Sequence, residues 1–144
     1  MASELSRRTF VQTLGAGLLA ADDASLSIVD AGTGKPIAAR VLVRDTAGRN
    51  YVPPGAVEVR IAPDRWFVAK GPVTLPAGDY SIRVEQGLEY RPVETSKRRI
   101  ALERWINMRE RGYSSGDCHL HVAADRLAPM LDAEGLDFGA SLSW

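Results

Sequence analysis

Alternating apolar and polar positions divide the first two thirds of the chain into short segments. Six of them carry β-branched or aromatic residues with the period of a half-buried strand, namely 25–29, 38–44, 57–61, 66–69, 81–85 and 100–106. Glycine- and proline-rich turns separate the segments, as at Pro53-Pro54-Gly55. No long helical period interrupts the series. The pattern therefore predicts a mainly β fold, an antiparallel β-sandwich of about seven strands.

The pattern changes after residue 108. Residues 116–122 alternate as a strand, and residues 138–143 have the composition of a second strand. Between them, Leu127, Met130 and Leu131 share the face of a helix that Asp125 can cap and that Gly135 ends. The segment therefore predicts one βαβ unit, whose two strands are parallel.

A single helix cannot cover both faces of such a pair of strands. The apolar residues of the unit are therefore expected to remain partly exposed, which concerns Leu120, Val122, Phe138, Leu142 and Trp144. Residues after Gly112 are expected to be held more loosely than the sandwich, and the ending at Trp144 is interpreted as a truncation. Packing of this segment onto the sandwich or onto a second copy of the chain is the alternative.

The amino terminus places Arg7 and Arg8 directly before an apolar run, Val11 to Ala21. This arrangement resembles a twin-arginine export signal over residues 1–24 and implies a periplasmic or secreted protein. The alternatives are a Sec signal that carries two arginines and a frayed amphipathic N-terminus that is not a signal. The run is too short for a permanent membrane span, because a helix needs roughly 20 apolar residues to cross a bilayer.

Charge and cysteine content narrow the function classes. Eighteen Lys and Arg balance eighteen Asp and Glu, and the pI is near 6.7, so the chain has no net positive field and nucleic acid is not an expected partner. The basic run Lys97-Arg98-Arg99 is expected to form a solvated edge. Cys118 is the single cysteine, so the fold must stand without an internal disulfide.

Both histidines of the chain lie close together, at His119 and His121. On a strand, residues two apart share a face, so Asp117, His119 and His121 are expected to line up, with Cys118 as buried filler on the opposite face. Two imidazoles can bind one metal ion, and a neighbouring carboxylate can bind it too or orient an imidazole. Two exposed histidines on an edge strand would give the same sequence.

Two segments, GKPIAARV at 34–41 and LPAGDY at 75–80, resemble transthyretin-like, carboxypeptidase-regulatory-like domains. The segments RWINM at 104–108, YSSGDCHLH at 113–121 and AEGLD at 133–137 resemble the junction and catalytic start of CehA/McbA-type metallohydrolases of the PHP-like superfamily. The resemblance implies a transthyretin-like sandwich over 25–108 and, over 109–144, the incomplete start of a PHP-type α/β barrel.

The same resemblance implies that His119, His121 and Asp117 bind a divalent metal ion, zinc or manganese. The implied function is the N-terminal portion of an exported metal-dependent hydrolase that cleaves an ester, amide, carbamate or phosphoester bond of a small-molecule substrate. This chain alone is expected to be inactive, and no catalytic residue is assigned.

Two other functions stay open from the sequence. The chain can be a standalone periplasmic β-sandwich that supports or binds a partner, with Tyr51, Trp66 and Tyr90 as a conceivable sugar platform or, as aromatic residues more often are, as core and rim. Alternatively, it is a complete small protein whose metal site forms between copies in a homo-oligomer.

Overall fold

The computed structural model describes residues 24–142 of the 144-residue chain. The predicted export signal, including Arg7 and Arg8, lies outside the described residues except for its last residue, and so does Trp144. Residues 24–142 contain eleven strands, one α-helix and one 3₁₀ helix, which confirms the mainly β prediction. Within this range, no helix combines the length and the apolar composition that crossing a bilayer requires.

The sheets of the first part of the chain are built from nine strands: β1 (Ser25–Asp30), β2 (Ala39–Asp45), β3 (Asn50–Tyr51), β4 (Glu58–Ile61), β5 (Asp64–Ala69), β6 (Val73–Thr74), β7 (Tyr80–Glu85), β8 (Val93–Thr95) and β9 (Arg99–Leu102). A 3₁₀ helix (Arg109–Arg111), β10 (Gly116–Leu120), α1 (Ala124–Glu134) and β11 (Phe138–Ser141) follow. Each of the six segments predicted as strands overlaps a strand. The pattern missed β3, β6 and β8, because two or three residues are too few to display a period of two.

Three sheets organise these strands. The largest has the order β4-β5-β2-β7-β8, with β3 beside β2, and all of its pairs are antiparallel. A second sheet has the order β6-β1-β9, in which β1 and β9 are parallel. The third consists of the parallel pair β10 and β11, with α1 between them in sequence, as the predicted βαβ unit requires.

The first two sheets contribute side chains to one hydrophobic core. Alternate residues point into it, so that Val41 and Val43 of β2 are fully buried together with Ile82 and Val84 of β7. The other members are Leu26, Ile28, Ala39, Phe67, Ala69, Leu75, Tyr90, Ile100 and Leu102. Burying a side chain of this size stabilises the fold by roughly 1.5–3 kcal/mol. The first part of the chain therefore has a core of its own.

One buried hydrogen bond joins the end of β1 to the loop after β7. The Tyr90 hydroxyl donates to Asp30 Oδ2 at 2.7 Å, and the Thr33 backbone N–H donates to Asp30 Oδ1 at 2.6 Å. Burial, together with the hydrogen bond to Asp30, raises the pKa of Tyr90 to about 12, so the hydroxyl keeps its proton at neutral pH. Tyr90 and Trp66 are both buried, which favours the core interpretation over a sugar platform.

The basic run at residues 97–99 is only partly a solvated edge. Lys97 and Arg99 are exposed, as expected, but Arg98 is half-buried. Its guanidinium donates to the carbonyl oxygens of Ala24 at 3.2 Å and Gly78 at 3.1 Å, and it lies 5.7 Å from the centre of a tyrosine ring, that of Tyr80. The prediction is wrong for Arg98 because a guanidinium can serve several carbonyls at once.

The helix of the βαβ unit ends where the sequence predicts but begins differently. Gly135 has φ +65° and its N–H bonds back to the carbonyls of Asp132 and Leu131. Ala123 occupies the N-cap position, with no side-chain hydrogen bond, so the prediction that Asp125 caps the helix is wrong. Asp125 lies in the first turn instead, where its charge faces the positive end of the helix dipole.

The βαβ unit packs on the outer face of the six-stranded sheet, so this sheet covers one side of it. Helix α1 contacts β2 and β5, where Leu42, Trp66 and Val68 are buried although they are separate from the main core. The predicted exposure of the unit's other side is confirmed, because Phe138 is 54% exposed and Leu142 is 37% exposed. Leu120 and Val122 are half-buried.

Candidate metal centre

The candidate site lies at the carboxyl end of β10, a parallel strand. Asp117 and His119 belong to the strand, and His121 follows its last residue, Leu120. Both imidazoles are exposed, and Asp117 is half-buried. The three sequence-predicted site residues therefore lie within five consecutive positions, with their side chains reachable from solvent.

The structure brings the two histidines into direct contact. Their Nε2 atoms are 3.0 Å apart, and the rings meet edge to face at 67° with centroids 4.9 Å apart. Without a metal, one Nε2–H can donate to the other Nε2. Zinc–nitrogen bonds of about 2.0 Å at a tetrahedral angle would place two ligand nitrogens about 3.3 Å apart. The pair is therefore close to the spacing of two ligands on a single ion.

The Asp117 side chain forms a hydrogen bond with the backbone of the site. Its Oδ1 accepts a hydrogen bond from the His119 backbone N–H at 2.8 Å. The pairing of β10 with β11 shifts register between Asp117 and Leu120, as in a β-bulge. The carboxylate thus fixes the irregular backbone from which His119 projects.

The same register shift explains an error about Cys118. The alternation of a regular strand would turn Cys118 away from His119 into an apolar layer, but Cys118 is exposed. Since the bulge interrupts the alternation, Cys118 and His119 are both open to solvent. The interpretation of Cys118 as buried filler is therefore wrong.

The donor set fits part of a coordination shell. Two imidazole nitrogens converge, and these suit zinc and other borderline metal ions. Within residues 24–142, no three side chains of His, Cys, Asp or Glu gather closely enough to hold an ion. Two of the carboxylates in this segment have other partners: Asp137 accepts from Arg109 and from the Ser115 N–H at 2.9 Å, and Glu134 pairs with Arg40 at 3.0 Å.

A separate cavity of about 580 Å³ lies between the loop after β7 and the C-terminal end of α1. Charged side chains line it, among them Glu89, Arg104 and Glu134. Burial raises the pKa of Glu89, but hydrogen bonds from Arg104 and from the Met108 N–H outweigh it and leave that pKa below its usual range. The sequence motifs gave no indication of this cavity, because it forms between segments distant in sequence.

Glu134, on the wall of this cavity, carries the opposite shift. Burial raises its pKa, the Arg40 guanidinium opposes this, and the neighbouring Glu85 carboxylate adds to it. Arg40 lies between both carboxylates, with Nη2 2.9 Å from Glu85 Oε2 and Nε 3.0 Å from Glu134 Oε1. The second contact is an ion pair without hydrogen-bond geometry, since Nε has no hydrogen-bond partner.

No protein-family model matches this sequence, and neither a curated protein nor a solved structure is detectably similar to it. The chemistry of the site therefore rests on its own geometry. Two converging imidazoles beside a bulge in a parallel strand can bind a metal ion, and the Asp117 carboxylate holds the backbone of His119.

Proposed function

We propose that this chain belongs to an exported, metal-dependent hydrolase and carries its first metal-binding strand. The observation that carries the proposal is the 3.0 Å approach of His119 Nε2 to His121 Nε2. The resemblance of residues 113–121 to CehA/McbA-type metallohydrolases supports it, since their His-x-His at the end of the first barrel strand supplies metal ligands. The bond cleaved would be an ester, amide, carbamate or phosphoester.

The proposal assigns a role to each part of the chain. Residues 1–24 direct export, residues 25–108 form a transthyretin-like β-sandwich of two stacked sheets, and residues 109–144 correspond to the start of a PHP-type barrel. The shared core of the first two sheets supports the sandwich assignment. The parallel order of β10 and β11 around α1 supports the barrel assignment, because such barrels repeat this unit.

The residues of the site have separate tasks in this proposal. His119 and His121 bind the ion through Nε2, and Asp117 holds the backbone of His119 in the bulge. A bound zinc or manganese ion supplies a water of lowered pKa and a Lewis acid for a polarised carbonyl or phosphoryl group. The two imidazoles leave positions of the shell open, so we expect metal binding without measurable turnover in this chain.

Zinc and manganese titration by calorimetry tests the site. We expect His119→Ala/His121→Ala to abolish zinc binding, and Asp117→Ala to weaken it about tenfold, because alanine removes the acceptor that holds the backbone of one ligand. Cys118→Ala is the matched control, because the exposed thiol directly precedes His119 and is the other potential ligand. Binding that survives the double substitution, or that disappears in Cys118→Ala, would contradict the imidazole assignment.

Export has its own test. Replacing Arg7 and Arg8 by Lys should retain the protein in the cytoplasm, because the export receptor reads two guanidinium groups that an ammonium group does not imitate. Fractionation of cells that express the unmutated chain and this variant measures the effect. Unchanged export of the variant would point to the Sec route.

A standalone binding or support module is the second candidate function. The cavity of about 580 Å³ beside Glu89, Arg104 and Glu134 favours it, because a polar concavity can hold a small ligand. The two candidates separate in the same calorimetric experiment. A chain that binds neither zinc nor manganese fits the module and not the hydrolase.

A further inference from the structure

Helix α1 has little stability of its own. It is eleven residues long, contains Pro129, and lacks a side-chain hydrogen bond at its N-cap. Isolated helices shorter than about 12–15 residues are marginal in water, and an interior proline costs about 3 kcal/mol. Asp132 and Glu134 add negative charge at the C-terminal end, where the helix dipole disfavours it. Contacts with the rest of the chain must hold this helix.

The strand pair next to the histidines also has little stability of its own. Strands β10 and β11 have five and four residues and form a sheet of two strands. A two-stranded sheet is marginally stable at best without packing on one face. Leu120 of β10 and Leu131 of α1 supply that packing, because both lie against Gly139 of β11. The helix and the two strands therefore stabilise one another and are expected to fold and unfold as one unit.

The sandwich offers this unit a surface that we call the docking platform, defined by Leu42, Trp66, Val68, Gln86 and Gly87. Its three apolar members are 2%, 6% and 8% exposed, although they point away from the main core. Ala133 of α1 is completely buried. The platform therefore buries apolar area that would otherwise face solvent, which favours docking.

The turn after β7 also closes the C-terminal end of the helix. The Gly87 N–H donates to the Ala133 carbonyl at 3.3 Å, and Gln86 Nε2 donates to the Asp132 carbonyl at 3.4 Å. Helices leave their last carbonyls without partners, and here another part of the chain supplies them. Gly87 has φ +47°, and a Cβ there would lie 2.3 Å from the Glu134 carbonyl oxygen, so a larger residue does not fit.

Charge on the platform side complements the acidic end of the helix. Arg40 lies 3.0 Å from Glu134, and Lys70 lies 2.6 Å from Asp132. The Lys70 pair is largely exposed and contributes little energy, but Arg40 is half-buried and faces Glu134 at the edge of the platform. Apolar area, carbonyl partners and counter-charges thus converge on the same end of α1.

We propose that the docking platform is the positioning surface for the metal centre. By holding α1, it keeps β10 paired with β11 and so keeps His119 and His121 converged before a metal binds. This inference rests on the proposed function. It predicts that docking and metal binding stabilise each other, because coupling between two binding events is reciprocal.

Two pairs of matched variants test the contact between α1 and the docking platform. One pair changes the helix, and the other changes glycines outside it. Ala133→Arg forces a long side chain into the contact, whereas Ala128→Arg makes the same change at an exposed position of α1. Gly87→Ala clashes with the helix, whereas Gly48→Ala makes the same change at a positive φ of 77° with no atom within 4 Å. Each control shares the intrinsic cost of its substitution but leaves the platform intact.

Hydrogen exchange without metal and zinc calorimetry are measured on all four variants. We expect Ala133→Arg and Gly87→Ala to speed amide exchange in residues 116–141 about tenfold or more, with β2 and β7 protected as before. Their zinc affinity should fall about threefold or more although both histidines remain. Both controls should match the unmutated chain.

Three outcomes would overturn the inference. Unchanged exchange in residues 116–141 would show that the platform does not hold the unit. Faster exchange with unchanged zinc affinity would show that docking does not position the histidines, while the proposed metal site would stand. A lack of zinc binding by the unmutated chain would overturn both proposals, and it is recognised before any substitution is made.

Discussion

The first region of the chain, residues 24–108, and the second, residues 109–142, differ in where their buried side chains come from. In the first region, thirteen buried residues from two sheets and the loops beside them form one cluster. Among residues 109–142, Ala133 is the one residue that is fully buried, and it lies in the helix that packs on the first region. The first region therefore supplies its own core, and the second obtains burial from the first.

The residues that form the core and the residues of the candidate metal centre therefore lie in different regions of the chain. The region with the core contributes no residue to the candidate metal centre, and the region with the two histidines has no core. Low local stability is typical of segments that bind ligands, because they need open side chains. The same substitution made in the two regions should therefore have very different costs, and three matched pairs of residues allow this test.

The largest difference in the cost of a substitution to the free energy of unfolding is expected between two phenylalanines. Phe67 of β5 in the first region is completely buried, whereas Phe138 of β11 in the second is 54% exposed. We expect Phe67→Ala to lower the free energy of unfolding by about 3–5 kcal/mol and Phe138→Ala by less than about 1 kcal/mol. Urea unfolding followed by circular dichroism measures both. Similar costs for the two variants would mean that the regions share one core.

An intermediate difference in the cost to the free energy of unfolding is expected between two tyrosines. The Tyr90 hydroxyl donates to the buried Asp30 carboxylate, whereas Tyr113 of the second region is 62% exposed. Tyr90→Phe leaves the carboxylate with one donor fewer and should cost about 1–3 kcal/mol, and Tyr113→Phe should cost almost nothing. Equal urea midpoints for the two variants would contradict the role given to the hydroxyl.

The Asp30 contribution should also depend on pH. The Tyr90 hydrogen bond is the main cause that lowers the pKa of Asp30 below its ordinary value of 3.8. Because the pKa is lower in the folded state, the ionised carboxylate stabilises the fold above pH 3.8, and this contribution disappears as the pH falls through the folded pKa. The stability gap between the unmutated chain and Tyr90→Phe should therefore narrow in acid.

The sequence predicted the parts of the fold that follow a regular period. Strand β1 alternates strictly between half-buried and buried residues, as its sequence indicates. The runs Val41-Leu42-Val43 and Trp66-Phe67-Val68 are continuously apolar, which is the pattern of strands buried on both faces. That signal could have predicted the docking platform, but the sandwich interpretation assigned one buried face to each strand.

The sequence singled out the two histidines as metal candidates but did not predict the local geometry around them. The His-x-His spacing located the metal candidates, and the structure brings the imidazoles together. Strict alternation failed at Cys118, because a bulge depends on pairing with β11 and leaves no local signal. The partners of Asp137 and Glu134 were also beyond prediction, since they join residues far apart in sequence.

The smallest difference in the cost to the free energy of unfolding is expected between two arginines whose guanidinium groups both have hydrogen-bond or ion-pair partners. Arg98 of the first region donates to backbone carbonyls of Ala24 and Gly78, whereas Arg109 of the second pairs with the Asp137 carboxylate and is 75% exposed. Lysine keeps the charge but not the fork of donors, so Arg98→Lys loses several bonds to fixed carbonyls and should cost about 1 kcal/mol.

Arg109→Lys keeps an exposed ion pair, whose contribution is small with either cation, and should cost less than about 0.5 kcal/mol. Added salt gives a second contrast, because it screens an exposed ion pair but has little effect on hydrogen bonds to carbonyls. The cost of Arg98→Lys in urea unfolding should therefore be the same at low and high salt. If this cost falls with salt as it would for an ion pair, the half-buried guanidinium stabilises the first region through its charge, as Arg109 does in the second region.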